Sequence, residues 1–202
     1  MITIIDYGMG NIGSMVNMLK KIGFSSNVTS DIKLISSAKK IILPGVGSFD
    51  AAMSSINSIK GLKETLTNSV MVNKTPILGV CLGMQLLTME SEEGKLPGLA
   101  WIDAKTIKFS DNKMLKVPHM GWNVVKSNNN TPLTDDGDSE LRFYFVHSYY
   151  VLVKNQKNSA MKTTYGIEFD SAIQNNNIYG VQFHPEKSHT YGMNLLKNFC
   201  NL

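Results

Sequence analysis

Along the first half of the chain, short apolar blocks alternate with stretches whose apolar residues recur every three or four positions. Ile2 to Asp6 reads as a strand running into the turn Gly8-Met9-Gly10-Asn11. Ile12, Met15, Val16 and Leu19 then keep helical spacing until Gly23 stops the helix. Phe24 to Thr29, Lys40 to Leu43 and Pro76 to Val80 read as further strands. Helices over Ala51 to Ile59 and Leu62 to Val72 precede the last of these. Strands separated by helices imply a parallel sheet covered on both faces.

The second half changes character. Ile102 to Phe109, Leu115 to Val125, Leu141 to Val151 and Ile178 to Phe183 are strand-like and joined by polar turns. Ser127 to Glu140 is the most loop-like stretch, too short for a domain linker, and Tyr191 to Phe199 closes the chain as an amphipathic helix. The pattern predicts an α/β fold, a three-layer sandwich with a mainly parallel central sheet and a late antiparallel portion.

Length and composition narrow the picture without changing it. The 202 residues fit one domain, 1–202, large enough to need neither a disulfide nor a metal to hold its core. The net charge of +4 is carried by scattered lysines, which argues against a nucleic-acid surface. No apolar run reaches membrane-spanning length, and the opening residues do not form a signal-peptide core. Cys81 and Cys200 stand far apart and closely spaced metal ligands are absent, so the expectation is a cytoplasmic protein with free thiols, no metal and no cofactor.

Three motifs carry chemistry. Thr75 to Gln85 places Cys81 between Gly79 and Gly83, where an apolar strand meets a helix pattern. This is the G-x-nucleophile-x-G elbow with cysteine in place of serine. The glycines leave room for a sharp turn, a helix amino terminus favours a thiolate, and the Leu82 amide is placed to stabilise an oxyanion. A buried core cysteine in a tight turn is the plainer alternative. In Tyr179 to Glu186, His184 and Glu186 are two apart; on an extended strand they face the same side, as a carboxylate that orients an imidazole must. Leu43 to Phe49 (LPGVGSF) is a glycine-rich loop whose amides can point inward, as an oxyanion site needs.

PGVGSF, GVCLGMQ and QFHPEKS in this order resemble the class I glutamine amidotransferases. DYGMGN, KVPHMGWN and YFVHSYY extend the resemblance to the branch whose members are glutaminase subunits of imidazole glycerol phosphate synthases. The resemblance implies a Cys81, His184, Glu186 triad acting on L-glutamine. It also implies an oxyanion hole from Val46, Gly47 and Leu82, and glutamine-binding by Gly47, Gln85, Glu93, Ser148 and Tyr149. The partner it implies is a (β/α)8 cyclase, HisF-like, which takes the ammonia and forms imidazole glycerol phosphate and an aminoimidazole carboxamide ribotide. Asn11, Met120 and Trp122 would then lie on the docking face, with Tyr144 and Lys187 at the ammonia exit. Leu96 to Ile102 departs from the family pattern, carrying alanine where glycine is usual. Two alternatives stay open: a paralogous subunit supplying ammonia for surface-polysaccharide sugars, and, from Gly8 to Gly13 (G-x-G-x-x-G) with Asp31 beyond it, a dinucleotide-binding protein.

Overall fold

The computed structural model describes residues 1–110, 115–134 and 140–202. In chain order the elements are β1 (Ile2–Ile5), α1 (Ile12–Lys21), β2 (Ser26–Thr29), α2 (Ile32–Ser36), β3 (Ile41–Gly45), α3 (Phe49–Ser58), α4 (Leu62–Thr67), β4 (Ile77–Cys81) and α5 (Leu82–Leu86). There follow β5 (Glu90–Ser91), β6 (Ala104–Lys108), β7 (His119–Ser127), β8 (Leu141–His147), β9 (Tyr149–Val153), β10 (Ser159–Tyr165), β11 (Ile167–Asn175), β12 (Ile178–Val181) and α6 (His189–Asn201).

One sheet runs through the molecule in the order β2-β1-β3-β4-β12-β11-β10-β7-β8, with β9, β6 and β5 branching from β11. From β2 to β12 all neighbours are parallel; beyond β12 the main path turns antiparallel. The two-residue side-chain period divides the core cleanly. Ile4, Ile42, Leu78 and Val181 face Met15, Leu19, Leu195 and Phe199, the apolar stripes of α1 and α6. Ile5, Ile41, Leu43 and Ile77 face Phe49, Met53, Ile56 and Leu66, from α3 and α4. This is the predicted three-layer α/β sandwich with its late antiparallel portion.

Several boundaries differ from expectation. The expected strand from Leu115 begins only at His119, and Leu141 to Val151 breaks at Ser148 into β8 and β9. The hairpin β10–β11, turned through Gly166 at φ +69°, lies within a stretch where no strand is expected. Both strands carry consecutive buried residues, Ser159 to Met161 and Phe169 to Ile173, so they lack the alternation that betrays a strand. The helix expected to Val72 does reach that residue, but its α-helical part ends at Thr67 and its last stretch, Asn68–Val72, widens into a π-helix. Ala100, the departure from the family pattern, sits at φ +58°, a conformation glycine adopts at less cost. The loop expected over Ser127 to Glu140 lies partly outside the described residues.

Candidate active site

β4 ends where the chain must reverse into α5, and Cys81 takes φ +55° and ψ −108°, a conformation that side chains disfavour. The turn closes because three glycines interlock. A Cβ on Gly79 would lie 2.6 Å from the Gly83 carbonyl oxygen, one on Gly45 would lie 2.8 Å from the Gly83 nitrogen, and one on Gly83 would overlap the Leu43 carbonyl oxygen. The register pairs Gly45 of β3 with Cys81, so the chain leaving β3 passes beside the thiol. Gly47 follows at φ +108°, where a Cβ would also strike Met9. The helix behind Cys81 is only five residues long, so its dipole is weaker support for a thiolate than the motif suggests.

A stronger partner arrives from β12. That strand ends at Val181, and His184 is extended, with Pro185–Lys187 forming a tight 3-10 turn. His184 and Glu186 therefore do not share a strand face. The turn instead curls the carboxylate back, and Glu186 Oε1 lies 2.8 Å from His184 Nδ1 with both side chains at most 3% exposed. Three bonds hold this segment: His184 N–H donates to the Tyr144 carbonyl at 2.9 Å, Tyr144 N–H to Ser188 Oγ at 3.0 Å, and Ser188 Oγ to the His184 carbonyl at 2.6 Å. The Nε2 side meets Cys81 without closing a hydrogen bond of normal geometry. Burial pushes the imidazole down, but the Cys81 sulfur and the Glu186 carboxylate outweigh it and raise the ring to about 10. An imidazolium facing sulfur is the setting in which thiolates form.

A cavity of about 340 Å³ opens beside this pair. Its lining brings Cys81 and His184 together with Val46, Gly47, Leu82, Gln85, Glu93, Ser148 and Tyr149; Glu186 stands behind the imidazole. Gln85 is buried and donates to the Tyr149 carbonyl at 3.2 Å and to Gln182 Oε1 at 3.1 Å. Glu93 Oε2 accepts from Phe49 N–H at 2.9 Å, capping α3 where Ser48 does not. Burial raises the Glu93 carboxyl despite that bond, and the Asp50 charge adds to the rise. Asp50 accepts from Lys95 and Leu96 N–H at 2.9 and 3.0 Å, which pins the loop carrying Glu93.

Two features of the site escape sequence reasoning. Gln182, fully buried, holds Gln85 and reaches toward Cys81 Sγ at 3.8 Å. Its signal is a lone amide in the apolar run Tyr179 to Phe183. His147, which lines the cavity, and His119 are buried partners across β7 and β8. In β8 the inward positions are Leu141, Phe143, Phe145 and then His147, so its one signal is a polar residue at an apolar register position, which does not reveal the partner.

Burial holds His119 down to about 4. It holds His147 down to about 3, with the neighbouring His119 and His184 charges adding and the Tyr149 carbonyl opposing. Unfolded, both rings take up protons near 6.5, so the unfolded chain binds more protons below that pH. The stability linked to these rings is complete above pH 6.5 and falls as pH drops toward 3. Urea unfolding between pH 7 and 5 should therefore show proton uptake on unfolding, and the double variant His119→Phe, His147→Phe should flatten that part of the profile.

Two of the expected docking residues, Met120 and Trp122, lie on β7. Met120 is 61% and Trp122 48% exposed, which settles the tryptophan as a surface residue; Trp101 is the buried one. The Trp122 ring stacks on His189 at 5.5 Å and meets Tyr144 edge-on at 6.3 Å. Lys187 Nζ lies 5.7 Å from the Tyr144 ring centre. Asn11 precedes α1, which packs against the Pro185–Lys187 turn, and its side chain does not cap the helix.

The dinucleotide alternative loses its physical basis. The last glycine of such a loop exists for close helix–strand packing, yet a Cβ on Gly13 would meet nothing within 4 Å. Gly10 serves packing against Pro44 instead, and the Asp31 carboxylate caps α2 through Lys33 and Leu34 N–H.

Fold and site together define a three-layer α/β protein with a thiol, imidazole and carboxylate gathered at the carboxyl ends of parallel strands. The sequence profile of the class-I glutamine amidotransferases matches residues 3–202, and the chain belongs to that family. It is 56% identical over 199 residues to imidazole glycerol phosphate synthase subunit HisH 2 of Methanococcus maripaludis, covering 98% of each chain. It is 46% identical over 202 residues to the protein of the same name from Pseudomonas aeruginosa, covering both completely. The fold matches PurLQS from Thermotoga maritima with a TM-score of 0.76 at 17% identity, over 99% of this chain and 97% of that one. Among the described residues no helix is long and apolar enough to cross a membrane.

Proposed function

We propose that this chain, as one domain over residues 1–202, is the glutaminase subunit of an imidazole glycerol phosphate synthase. It hydrolyses L-glutamine to glutamate and ammonia and passes the ammonia to a (β/α)8 cyclase partner. The observation that carries this reading is the Cys81–His184–Glu186 cluster opening on a cavity walled by Gln85, Glu93, Ser148 and Tyr149. The names of the relatives support the histidine-pathway partner over a polysaccharide one.

The chemistry balances with glutamine and water alone. The Cys81 thiolate attacks the side-chain amide carbon, and the negative oxygen that develops is met by amides of Leu82 and the Val46–Gly47 segment. His184, held by Glu186, gives its proton to the amide nitrogen, so ammonia leaves and a γ-glutamyl thioester remains. The neutral imidazole then takes a proton from water, which attacks the thioester, releasing glutamate and restoring the thiolate. Tyr144 and Lys187 flank the way out for ammonia. Both cysteines are free, which suits a reducing cytoplasm.

The test is to add the purified cyclase and follow glutamate release and cyclisation together. Glutamine-dependent cyclisation that needs this chain supports the proposal; glutamate release indifferent to the cyclase points to a free-standing hydrolase. Trp122, with Met120 and Asn11, forms the docking face in this reading. Trp122→Ala should weaken association by about 2 kcal/mol, as central aromatic anchors do, measured by calorimetry.

A further inference from the structure

One wall of the cavity has no part in the chemistry above. Behind Ser148 and Tyr149, His119 and His147 stand opposite one another on β7 and β8. His147 Nδ1 is 2.7 Å from the Tyr149 carbonyl oxygen, His147 Nε2 is 2.9 Å from His119 Nδ1, and His119 Nε2 is 3.2 Å from Asn123 Nδ2. A carbonyl only accepts, so His147 Nδ1 carries the hydrogen. At the far end the Asn123 amide has one orientation. Its Nδ2 donates to the Thr164 carbonyl at 3.0 Å, and its Oδ1 accepts from Val124 N–H at 2.7 Å. The hydrogen left on Nδ2 points at His119 Nε2, which must accept, so His119 Nδ1 donates to His147 Nε2.

Both ends thus demand the same tautomers. A second proton on either ring would set N–H against N–H at one of the links, so both rings are neutral, as their depressed pKa values agree. Beyond Tyr149 the network continues: its carbonyl also accepts from Gln85, which donates to Gln182, which reaches Cys81 Sγ. His119 is clamped between Phe145 and Tyr165, with ring centres 4.6 and 4.0 Å away. Packing alone asks only for an aromatic ring there, whereas buried imidazoles need their hydrogen bonds to offset desolvation. Asn123 is the chain neighbour of Trp122, so the network begins on the strand of the docking face.

We propose that His119 and His147 are positioning residues. They form a neutral relay that fixes the Tyr149 carbonyl, and through it Gln85, in glutamine-binding geometry, and they link that geometry to the strand bearing Trp122. This rests on the glutaminase reading. The test measures glutamate release against glutamine concentration for the full chain with its cyclase. Phenylalanine at 147 keeps ring volume but has no nitrogen; asparagine places an amide nitrogen where Nδ1 stands and can still bond Tyr149.

His147→Phe should raise KM for glutamine about tenfold with kcat within about threefold, the scale of one lost hydrogen bond. His147→Asn should return KM to within about threefold of the parent. His119→Phe, which spares the Tyr149 bond, should instead lower the stimulation of glutamate release by the cyclase. Equal KM values for the two His147 variants, or a fall in urea midpoint with KM unmoved, would reduce the pair to a packing feature. The ¹⁵N shifts of the parent give a readout independent of variant folding: Nδ1 protonated and Nε2 bare on both rings, with the opposite tautomer or a cationic ring overturning the relay. A parent chain that releases no glutamate at all would remove the glutaminase reading and the relay's role with it.

Discussion

Alanine at position 81 is expected to lower glutamate release by about 10⁴-fold or more, since the groups of a catalytic triad act as a unit. In the proposed mechanism, without sulfur no γ-glutamyl thioester forms, and His184 has nothing to exchange protons with. The cavity around it changes little, because Cys81 is buried and alanine is smaller. Partner binding and cyclisation driven by added ammonium salts should therefore survive, measured beside a coupled glutamate assay. Release within about a hundredfold of the parent would take Cys81 out of the role of nucleophile.

Gly83→Ala should cost on the order of 4 kcal/mol or more and leave little folded protein. The added Cβ would overlap the Leu43 carbonyl oxygen, which is backbone of β3 and cannot swing aside as a side-chain tip does. Moving β3 would also disturb its register with β4, where Gly45 lies opposite Cys81. Gly13→Ala is the matched control: it lies in α1 with open space around its Cβ, and alanine is the better helix former. Soluble yield and urea midpoints report both. A Gly83→Ala protein as stable as the parent would mean that the elbow is looser than its geometry shows.

These two expectations mark what was legible in the sequence. The elbow could be read because its demand is local: glycines two residues either side of Cys81, an apolar strand before and a helix after. The parallel half was legible because α1 and α6 are amphipathic and β1, β3 and β4 are short apolar runs between them. The pairing of His184 with Glu186 was legible as a pairing, but its geometry was not. Pro185 turns the chain, and the carboxylate reaches the ring by curling round a turn rather than by sharing a strand face. β10 and β11 were illegible because residues such as Thr163, Asp170 and Ser171 are buried inside the sheet by partners far along the chain. The Asp170 carboxylate, for instance, accepts from Val153 N–H of β9 at 3.0 Å. Gln182, His119 and His147 share that difficulty. Each is polar among apolar neighbours, and its meaning depends on a partner 28 to 101 positions away.

The backbone at Cys81 has a consequence for how variants of this protein behave under selection. Non-glycine residues held in such conformations carry about 1–3 kcal/mol of unfavourable energy. Glycine at 81 would release most of it, so a screen that rewards only heat resistance or expression level drifts toward a chain that has lost its thiol. With Cys81 in its proposed role, a library ranked by durability and one ranked by ammonia output would therefore diverge at this residue, and engineering for shelf life should hold position 81 fixed.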